Sequence, residues 1–379
     1  MHLTVFLKKA IGLLAALTIA AALPAAAQQA PATAKMAEES YKNIQVLKGI
    51  PADQVIPSMR VFAGALGQRC QFCHVDGDFV SDMKMEKATA RKMITMMNDI
   101  NKANFNGRQQ VTCYTCHDGS NNPANTPLLP TTENPEQPRP TMPSADDILS
   151  KYISAIGGEQ AVRKVTSRVI TGTQDIPSGV QGDRTMVPAQ FERDQKAPNL
   201  VVTSVHNDKV ATADGFDGTT AWAKDARGMV ADIAEPYQAR MKRNSDMFES
   251  LNLKQEYMRI MVRGIQKVDG KDAYVVIGNP VGDGAERLFF DTQTGLLVRK
   301  VTVLPTAGGN LPQEVDYDDY RDTGSGVKIP FTIRMIPATP GNSLATVSTI
   351  KVQKVQDNVP IDNAKLAKPP AKATAAAAQ

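Results

Sequence analysis

Two short motifs constrain this chain more than any other part of it. Residues 70–74 read CQFCH and residues 113–117 read CYTCH. Both follow the pattern C-x-x-C-H, the attachment signature of a c-type haem, in which two thiols bond to one porphyrin edge and the next histidine binds the iron. The motifs predict covalent attachment through Cys70, Cys73, Cys113 and Cys116, with His74 and His117 as the proximal iron ligands.

Disulfide bonds and a zinc site are two other interpretations of these residues, but they account for fewer of them. The four cysteines of the chain all lie in the two motifs. Two disulfides would not require a histidine after each second cysteine. A zinc site could use the histidines, but the motifs together supply six ligands where a single structural site takes about four. Haem accounts for every cysteine and histidine of both motifs, so we predict two c-type haems.

The N-terminus has the features of a secretory signal peptide. Lys8 and Lys9 precede an apolar run over residues 11–23, and Ala25-Ala26-Ala27 offers a cleavage site. The run is shorter than the roughly 20 residues of a membrane-spanning helix, which disfavours a retained anchor. We predict a signal peptide over residues 1–27, a flexible segment over 28–39, and a periplasmic protein that is soluble or peripherally membrane-associated. The formal net charge of +4 is too small to indicate nucleic-acid binding.

Each motif follows an amphipathic helix. Apolar residues lie on one face of a predicted helix over residues 57–66, and a second predicted helix over 85–102 carries an apolar stripe of Met93, Met96, Met97 and Ile100. Met59 is the only methionine of the first helix. Methionine is a suitable sixth iron ligand, but in the second helix periodicity alone does not choose between Met93, Met96 and Met97.

The chain after the second motif changes in composition. Residues 123–143 are rich in proline and predict an extended linker. Beyond it, Ser144 and Asp147 form a capping box at the start of a helix, and many alternating segments separated by turn signals predict strands. We predict a multi-domain α+β protein: a small, mainly helical dihaem domain over residues 40–122, and a curved antiparallel β half-barrel with packed helices over 144–366. A disordered tail follows over 367–379.

The first domain resembles the multihaem cytochrome c subunit of photosynthetic reaction centres. The resemblance covers about residues 40–122 and lies in NIQVL at 43–47, ARKM at 90–93 and VTCYTCH at 111–117, with Gly119 close behind. It implies that Met59 and Met93 are the sixth iron ligands, and that Met96 and Met97 serve packing. It also implies photosynthetic electron transport with a membrane-bound reaction centre, or a respiratory complex, as partner. Family members carry four haems in two pairs, whereas this chain has one pair.

The second domain is similar to the half-barrel carriers of outer-membrane lipoprotein sorting. The similarity rests on ILSKYISAIGG at residues 148–158, FFDTQTGLLV at 289–298 and DYDDY at 316–320. It implies a concave apolar sheet and a lipid ligand.

These sequence observations lead to three alternative functions. An electron-transfer protein, which is not an enzyme, is favoured by both motifs and by the methionine helices. A dihaem redox enzyme such as a peroxidase would need an open iron and a distal acid or base, and the first domain has no further histidine for that role. A lipid- or lipoprotein-binding module with an attached redox domain is the third.

Overall fold

A helical segment and a large sheet make up the described part of the chain. The computed structural model describes residues 35–123, 141–178, 185–235, 237–337 and 347–370, which belong to one compact unit over Ala34–Gln379. Its helices are α1 Ala37–Ser40, α2 Val55–Leu66, α3 Cys70–Cys73, α4 Met85–Phe105, α5 Cys113–His117, α6 Ala145–Ala155, α7 Glu159–Lys164, α8 Tyr237–Ser245, α9 Glu249–Glu256 and α10 Asn363–Leu366.

The strands form a single antiparallel sheet in the described residues. They are β1 Ser167–Pro177, β2 Met186–Lys196, β3 Leu200–His206, β4 Ala211–Asp217, β5 Ala221–Lys224, β6 Val230–Asp232, β7 Tyr257–Val268, β8 Lys271–Pro280, β9 Glu286–Asp291, β10 Leu297–Thr306, β11 Gly309–Asp322, β12 Lys328–Pro337 and β13 Ser348–Asp357. The spatial order is β6-β5-β4-β3-β2-β1-β13-β12-β11-β10-β9-β8-β7. The predicted large antiparallel sheet is therefore confirmed.

The two edge strands of this sheet are joined by helices. Since β6 and β7 lie at opposite edges but are consecutive in the chain, their connection must cross the sheet. Helices α8 and α9 make this crossing. Asp246 N–H bonds to Arg243 C=O at 3.0 Å and ends the first helix, so the crossing is split into two helices. The crossing covers one face of the sheet.

Helix α6 forms as its capping box predicts. The Asp147 N–H donates to Ser144 Oγ at 3.1 Å, and the Ser144 N–H donates to the Asp147 carboxylate at 3.1 Å. Ile148, Leu149 and Tyr152 are buried on the sheet side. Together with buried residues of α7, α9, β8 and β9 they form the largest apolar cluster, which fixes these helices against the sheet.

The helical segment docks on the β10–β11 hairpin. Val61 of α2 lies in one apolar cluster with Leu304 and Leu311 of the hairpin. At the turn, a Cβ on Gly308 would lie 2.6 Å from the Phe62 ring, so only glycine allows this approach. Gln109 Nε2 donates to Ala307 C=O at 3.0 Å. The segment with both motifs is thus packed directly against the sheet.

Two predicted boundaries shift in the structure. Helix α1 begins inside the stretch predicted as flexible, where Ala37 is fully buried and its N–H donates to Ile50 C=O at 2.8 Å. At the other end Lys368 pairs with Asp232, within the predicted tail. The predicted signal peptide, most of the proline-rich linker and the end of the tail lie outside the described residues.

None of the helices in the described ranges combines the length and the apolar composition that a membrane span requires.

The carboxyl group of Glu256, at the end of α9, predicts a pH dependence of stability. Burial raises its pKa from 4.5 to about 8, and the neighbouring carboxylates of Glu249 and Asp246 act in the same direction. Between these two pH values the folded protein keeps a proton that the unfolded chain has lost, so stability falls as the pH rises. We expect Glu256→Gln to unfold at higher denaturant than the wild type above pH 8 and at nearly the same concentration below pH 4.5.

The control for this experiment is Glu159→Gln, which removes an exposed carboxylate paired with Arg163. It should show no such difference between the two pH ranges. An equal stability difference between Glu256→Gln and the wild type in both ranges would contradict the prediction.

Candidate haem sites and a cavity in the sheet

The first motif begins where α2 ends. Gly67 adopts the left-handed conformation, with φ 60°, and terminates the helix. Helix α3 then places Cys70 and Cys73 one turn apart, so both thiols lie on the same side. The His74 N–H donates to Cys70 C=O at 3.0 Å. This geometry presents two thiols and one imidazole at a single site.

The imidazole of His74 is enclosed but not fully bonded. Its ring lies 5.3 Å from the Phe79 ring, centre to centre, and its Nδ1 is buried without a hydrogen-bond partner in the described residues. Burial lowers the pKa of His74, and the positive charge of Lys87 lowers it further. The neutral form, which binds metals, is therefore favoured.

A polar cluster of Asn43, Asp82, Lys87 and Arg91 holds the loop after His74. Lys87 is buried and its ammonium group donates to the carbonyls of residues 79, 80 and 81 at 2.8–3.1 Å. Asp82 pairs with Lys87 at 3.1 Å and with Arg91 at 3.0 Å. Asn43 Nδ2 donates to the same carboxylate at 2.9 Å. The cluster ties α4 to the loop that covers the first imidazole.

Asn101 positions the second motif. It is buried in α4, and its Oδ1 accepts the N–H groups of Gln110 and Val111 at 3.0 and 2.9 Å. Its Nδ2 donates to Val111 C=O at 2.7 Å. One side chain therefore satisfies three backbone groups of the stretch that leads into Cys113.

His117 is oriented as a proximal ligand would be. Its Nδ1 lies 3.0 Å from Ser120 C=O. Because a carbonyl can only accept, Nδ1 carries the proton and Nε2 keeps its lone pair for a metal. The turn is fixed in place by the Gly119 N–H, which donates to Ala65 C=O of α2 at 3.0 Å.

The thiols have the environment of attachment sites rather than of reactive nucleophiles. All four are unpaired. Burial raises the pKa of Cys73 and of Cys113, which disfavours the thiolate form that a catalytic cysteine needs. No three Cys, His, Asp or Glu residues of the described part are grouped as a metal site requires. The residues present fit covalent haem, with one imidazole for each iron.

The methionines lie partly where the sequence predicted. Met59 is half-buried beside the apolar cluster of Leu47, Phe62 and Ile94. In α4 the predicted stripe is wrong in part: Met97 is buried, whereas Met93 and Met96 are 37% and 47% exposed. The buried face of this helix is instead formed by Lys87, Ile94, Met97 and Asn101. Met93 is therefore not a core residue.

The two motif units are packed across each other. Helix α2, which carries Met59, contacts α5 of the second motif, and Cys113 lies in the same apolar cluster as Met59. Helix α4, which carries Met93, contacts α3 of the first motif as well as α5 of the second. Chain order, in contrast, pairs Met59 with His74 and Met93 with His117. The packing makes the two units one interlocked pair.

The covered face of the sheet lines a second candidate site, a half-open cavity of about 920 Å³. Helices α6 to α9 form one side of it and strands from both halves of the sheet form the other. Part of the lining is apolar and includes Phe191, Ile350 and Val352. Charged and hydroxyl groups also line the cavity, including Arg193, Asp214, Glu249, Lys300 and Tyr317. The cavity is thus amphipathic.

Sequence reasoning missed the supporting residues of both sites. Asn43 and Arg91 fell within stretches that carried the family resemblance, but nothing in their spacing indicated a shared bond to Asp82. Asn101 has the residue type of a helix end and lies one turn before the end of α4, which was its only signal. The cavity charges lie on strands distant in the chain, so no local pattern could unite them.

Comparison with known proteins supports the first resemblance. Residues 9–156 match the family described as photosynthetic reaction centre cytochrome C subunit. Cytochrome c-554 of Chloroflexus aurantiacus is 37% identical over 87 residues, which are 21% of each chain. The photosynthetic reaction center cytochrome c subunit of Thermochromatium tepidum is 31% identical over 130 residues, 33% of this chain and 31% of that one. This chain therefore spans less than a third of the length of either relative.

Solved structures are similar to the sheet region. A DUF1329 family protein from Desulfovibrio piger has a TM-score of 0.42 at 11% identity and covers 59% of this chain and 96% of its own. A LolA superfamily protein from Nitrosomonas europaea has a TM-score of 0.41 at 13% identity and covers 60% of this chain and 99% of its own.

Proposed function

We propose that the protein is an exported dihaem c-type cytochrome that transfers electrons. The orientation of His117 carries this proposal, because its Nδ1 bond to Ser120 C=O leaves Nε2 available beside two thiols on one helix turn. Cys70, Cys73, Cys113 and Cys116 would hold two haems covalently, with His74 and His117 as proximal ligands. Bound haem would supply a one-electron couple, and the residues that hold it would tune its potential.

Met59 and Met93 are proposed as the sixth ligands. A thioether opposite histidine favours the reduced iron, raises the potential and leaves no position for a small ligand, all of which suit electron transfer. Met93 and Met96 are both exposed whereas Met97 is buried, and the resemblance to the cytochrome c subunit favours Met93 over Met96. Full ligation by His and Met leaves a peroxidase-like reaction without an open iron, so that alternative is disfavoured.

Binding of carbon monoxide to the reduced holoprotein tests the ligation. The wild type is expected to bind none at neutral pH, and Met59→Ala or Met93→Ala should each open one of the two irons. The matched control is Met96→Ala, an exposed methionine of the same helix, which should leave both irons closed. Ready binding of carbon monoxide by the wild type would refute full His/Met ligation.

Variants with a single haem assign each methionine. In a Cys113→Ala, Cys116→Ala background only the first haem can attach. If the first iron is bound by the methionine of the helix that precedes its motif, adding Met59→Ala opens that iron. If it is bound by the methionine of the helix that packs on its motif, adding Met93→Ala opens it. A redox titration of the same proteins, followed spectroscopically, gives the haem number and the potentials. Fewer than two haems in the wild type would contradict the proposal itself.

The partners are proposed from the relatives. One relative is named cytochrome c-554 and another is named photosynthetic reaction center cytochrome c subunit. We therefore propose a membrane-bound reaction centre or a respiratory complex as redox partner, with photosynthetic electron transport as one setting. Periplasmic location after removal of the leader is part of the same proposal. The small net charge gives no support to nucleic acid as a partner.

The cavity supports a second candidate function, the binding of a lipid or another amphiphile. Its volume of about 920 Å³ lies near the upper end of the roughly 300–1,000 Å³ of small-molecule sites. A sheet that only supported the haem segment would be expected to fill its interior with side chains. The sheet region would then bind a ligand while the helical segment carries electrons.

A further inference from the structure

Arg193 on strand β2 is one of the residues that line the cavity. In the register of the sheet, Ile170, Arg193, Thr203 and Asp214 form a row across strands β1, β2, β3 and β4, and all four line the cavity. Side chains of such a row point to the same face. Arg193 is therefore aimed into the cavity.

The guanidinium of Arg193 is bonded to neutral acceptors, although the carboxylates of Asp214 and Glu249 line the same cavity and partly offset the effect of burial on its pKa. Its Nη1 donates to Thr203 Oγ1 at 3.1 Å and its Nη2 donates to Asn244 C=O at 3.0 Å. Both acceptors are uncharged. In the described part of the chain, no carboxylate oxygen forms an ion pair with it within 4.0 Å. Burial lowers the pKa of Arg193, which expresses the cost of a guanidinium charge held away from water.

The other two arginines of the cavity are neutralised. Arg168 forms two bonds to the Asp357 carboxylate at 2.6 and 3.0 Å, and Arg240 forms two to Asp283 at 2.8 and 2.7 Å. The same fork geometry at Arg193 has no such partner. Since an enclosed charge is costly unless it is paired, the arrangement suits an anion that arrives with the ligand.

Part of the apolar lining of the cavity lies beside this charge. Phe191 and Arg193 are two residues apart on β2 and both line the cavity, so they share a face. Phe191 belongs to the apolar cluster with Ile350 and Val352, against which Ile333 and Met335 pack. A ligand with its anionic group at Arg193 would therefore have an apolar surface available for a chain.

We infer that the cavity binds a long-chain amphiphile with an anionic head group, which Arg193 holds while the chain lies along the cluster around Phe191. This inference rests on the second candidate function, ligand binding in the cavity. To that function the inference adds that the head group of the ligand is negatively charged and that Arg193 selects it. Asp214, two strands away in the same row, opposes an anion, and its removal is expected to favour binding.

Arg193 also has a structural role, because its bond to Asn244 C=O fixes the end of α8 on the sheet. The test therefore compares two probes in one protein. The full-length holoprotein is titrated with a dansyl-labelled undecanoic acid and with the methyl ester of the same compound. A purely structural role of Arg193 would change the affinity for both probes alike.

The expected result is a preference for the acid that depends on Arg193. In Arg193→Gln the affinity for the acid should fall about tenfold or more, while the affinity for the ester stays within about twofold, because a hydrogen bond between charged groups is lost only in the acid complex. Arg193→Lys should retain part of the preference, and Asp214→Asn should increase it. Arg263→Gln, an exposed arginine outside the cavity, is the control for net charge.

The outcomes separate the inference from the function on which it rests. If the wild type binds neither probe, ligand binding in the cavity is refuted and the inference fails with it. If the wild type binds both probes equally, or if Arg193→Gln weakens both equally, the cavity function stands and the anionic head group is refuted. Unchanged circular dichroism and haem spectra confirm that each variant is folded.

Discussion

Replacing Glu286 by glutamine is expected to lower the free energy of unfolding by about 3 kcal/mol or more. The carboxylate is fully buried and accepts from Arg243 Nη2 at 2.8 Å and from the Tyr257 hydroxyl at 2.7 Å. Lys300 Nζ lies 3.4 Å from it. Glutamine keeps the shape but removes the charge, so Arg243 and Lys300 each lose one of their two carboxylate partners.

The direction of the pKa shift agrees with this expectation. Burial alone would raise the pKa of Glu286, but Lys300, Tyr257 and Arg243 together hold it below its ordinary value. The ionised form is therefore the stable one in the folded protein, and its contribution is lost only in acid. Denaturant unfolding followed by far-UV circular dichroism measures the effect.

The control is Asp272→Asn, which removes the exposed carboxylate of the pair with Lys267. That pair is more than half exposed on both sides, so its loss should cost less than about 1 kcal/mol. Similar losses in the two variants would show that the buried network of Glu286 contributes no more than a surface pair.

Replacing Gly67 by alanine should disturb the second haem site although Gly67 precedes the first. With φ 60°, the residue is in the left-handed region, and an added Cβ would overlap the carbonyl oxygen of Gly119. Strain and overlap together should cost about 2–4 kcal/mol. Because Gly119 lies between His117 and Ser120, relief of the overlap would displace the turn that orients the second imidazole.

Gly64→Ala provides the matched control within the same helix. Its added Cβ would meet no atom within 4 Å, so this substitution should raise stability by about 0.5–1 kcal/mol. The measurements are the thermal midpoint and the ratio of haem to protein after purification. A Gly67→Ala protein with wild-type stability and full haem content would contradict the close contact between α2 and the second motif.

Local signals in the sequence predicted the elements whose formation depends on neighbouring residues. Helices α2 and α4 were predicted within three residues at each end, and the box of Ser144 and Asp147 caps α6. The C-x-x-C-H motifs likewise needed only five consecutive residues. Each of these features arises from contacts within one or two turns.

The remaining features depend on contacts between distant segments. Strand β2 was not predicted, because Arg193 and Gln195 replace the apolar residues that would mark its inner face. Those polar residues face an open cavity, where the usual alternation does not apply. Met93 was placed on a buried stripe, but the docking of α4 buries Ile94 and Met97 instead. The face that a helix buries is decided by its partner.

The hairpin that receives α2 also forms part of the cavity. Strands β10 and β11 carry Lys300 and Tyr317 on the cavity side, and their connecting turn contacts Phe62 of the helical segment. A ligand that stabilises these two strands would therefore also stabilise the surface on which the segment with the motifs packs. Ligand binding in the cavity would in this way also stabilise the docking of the segment that carries the two proposed haem sites.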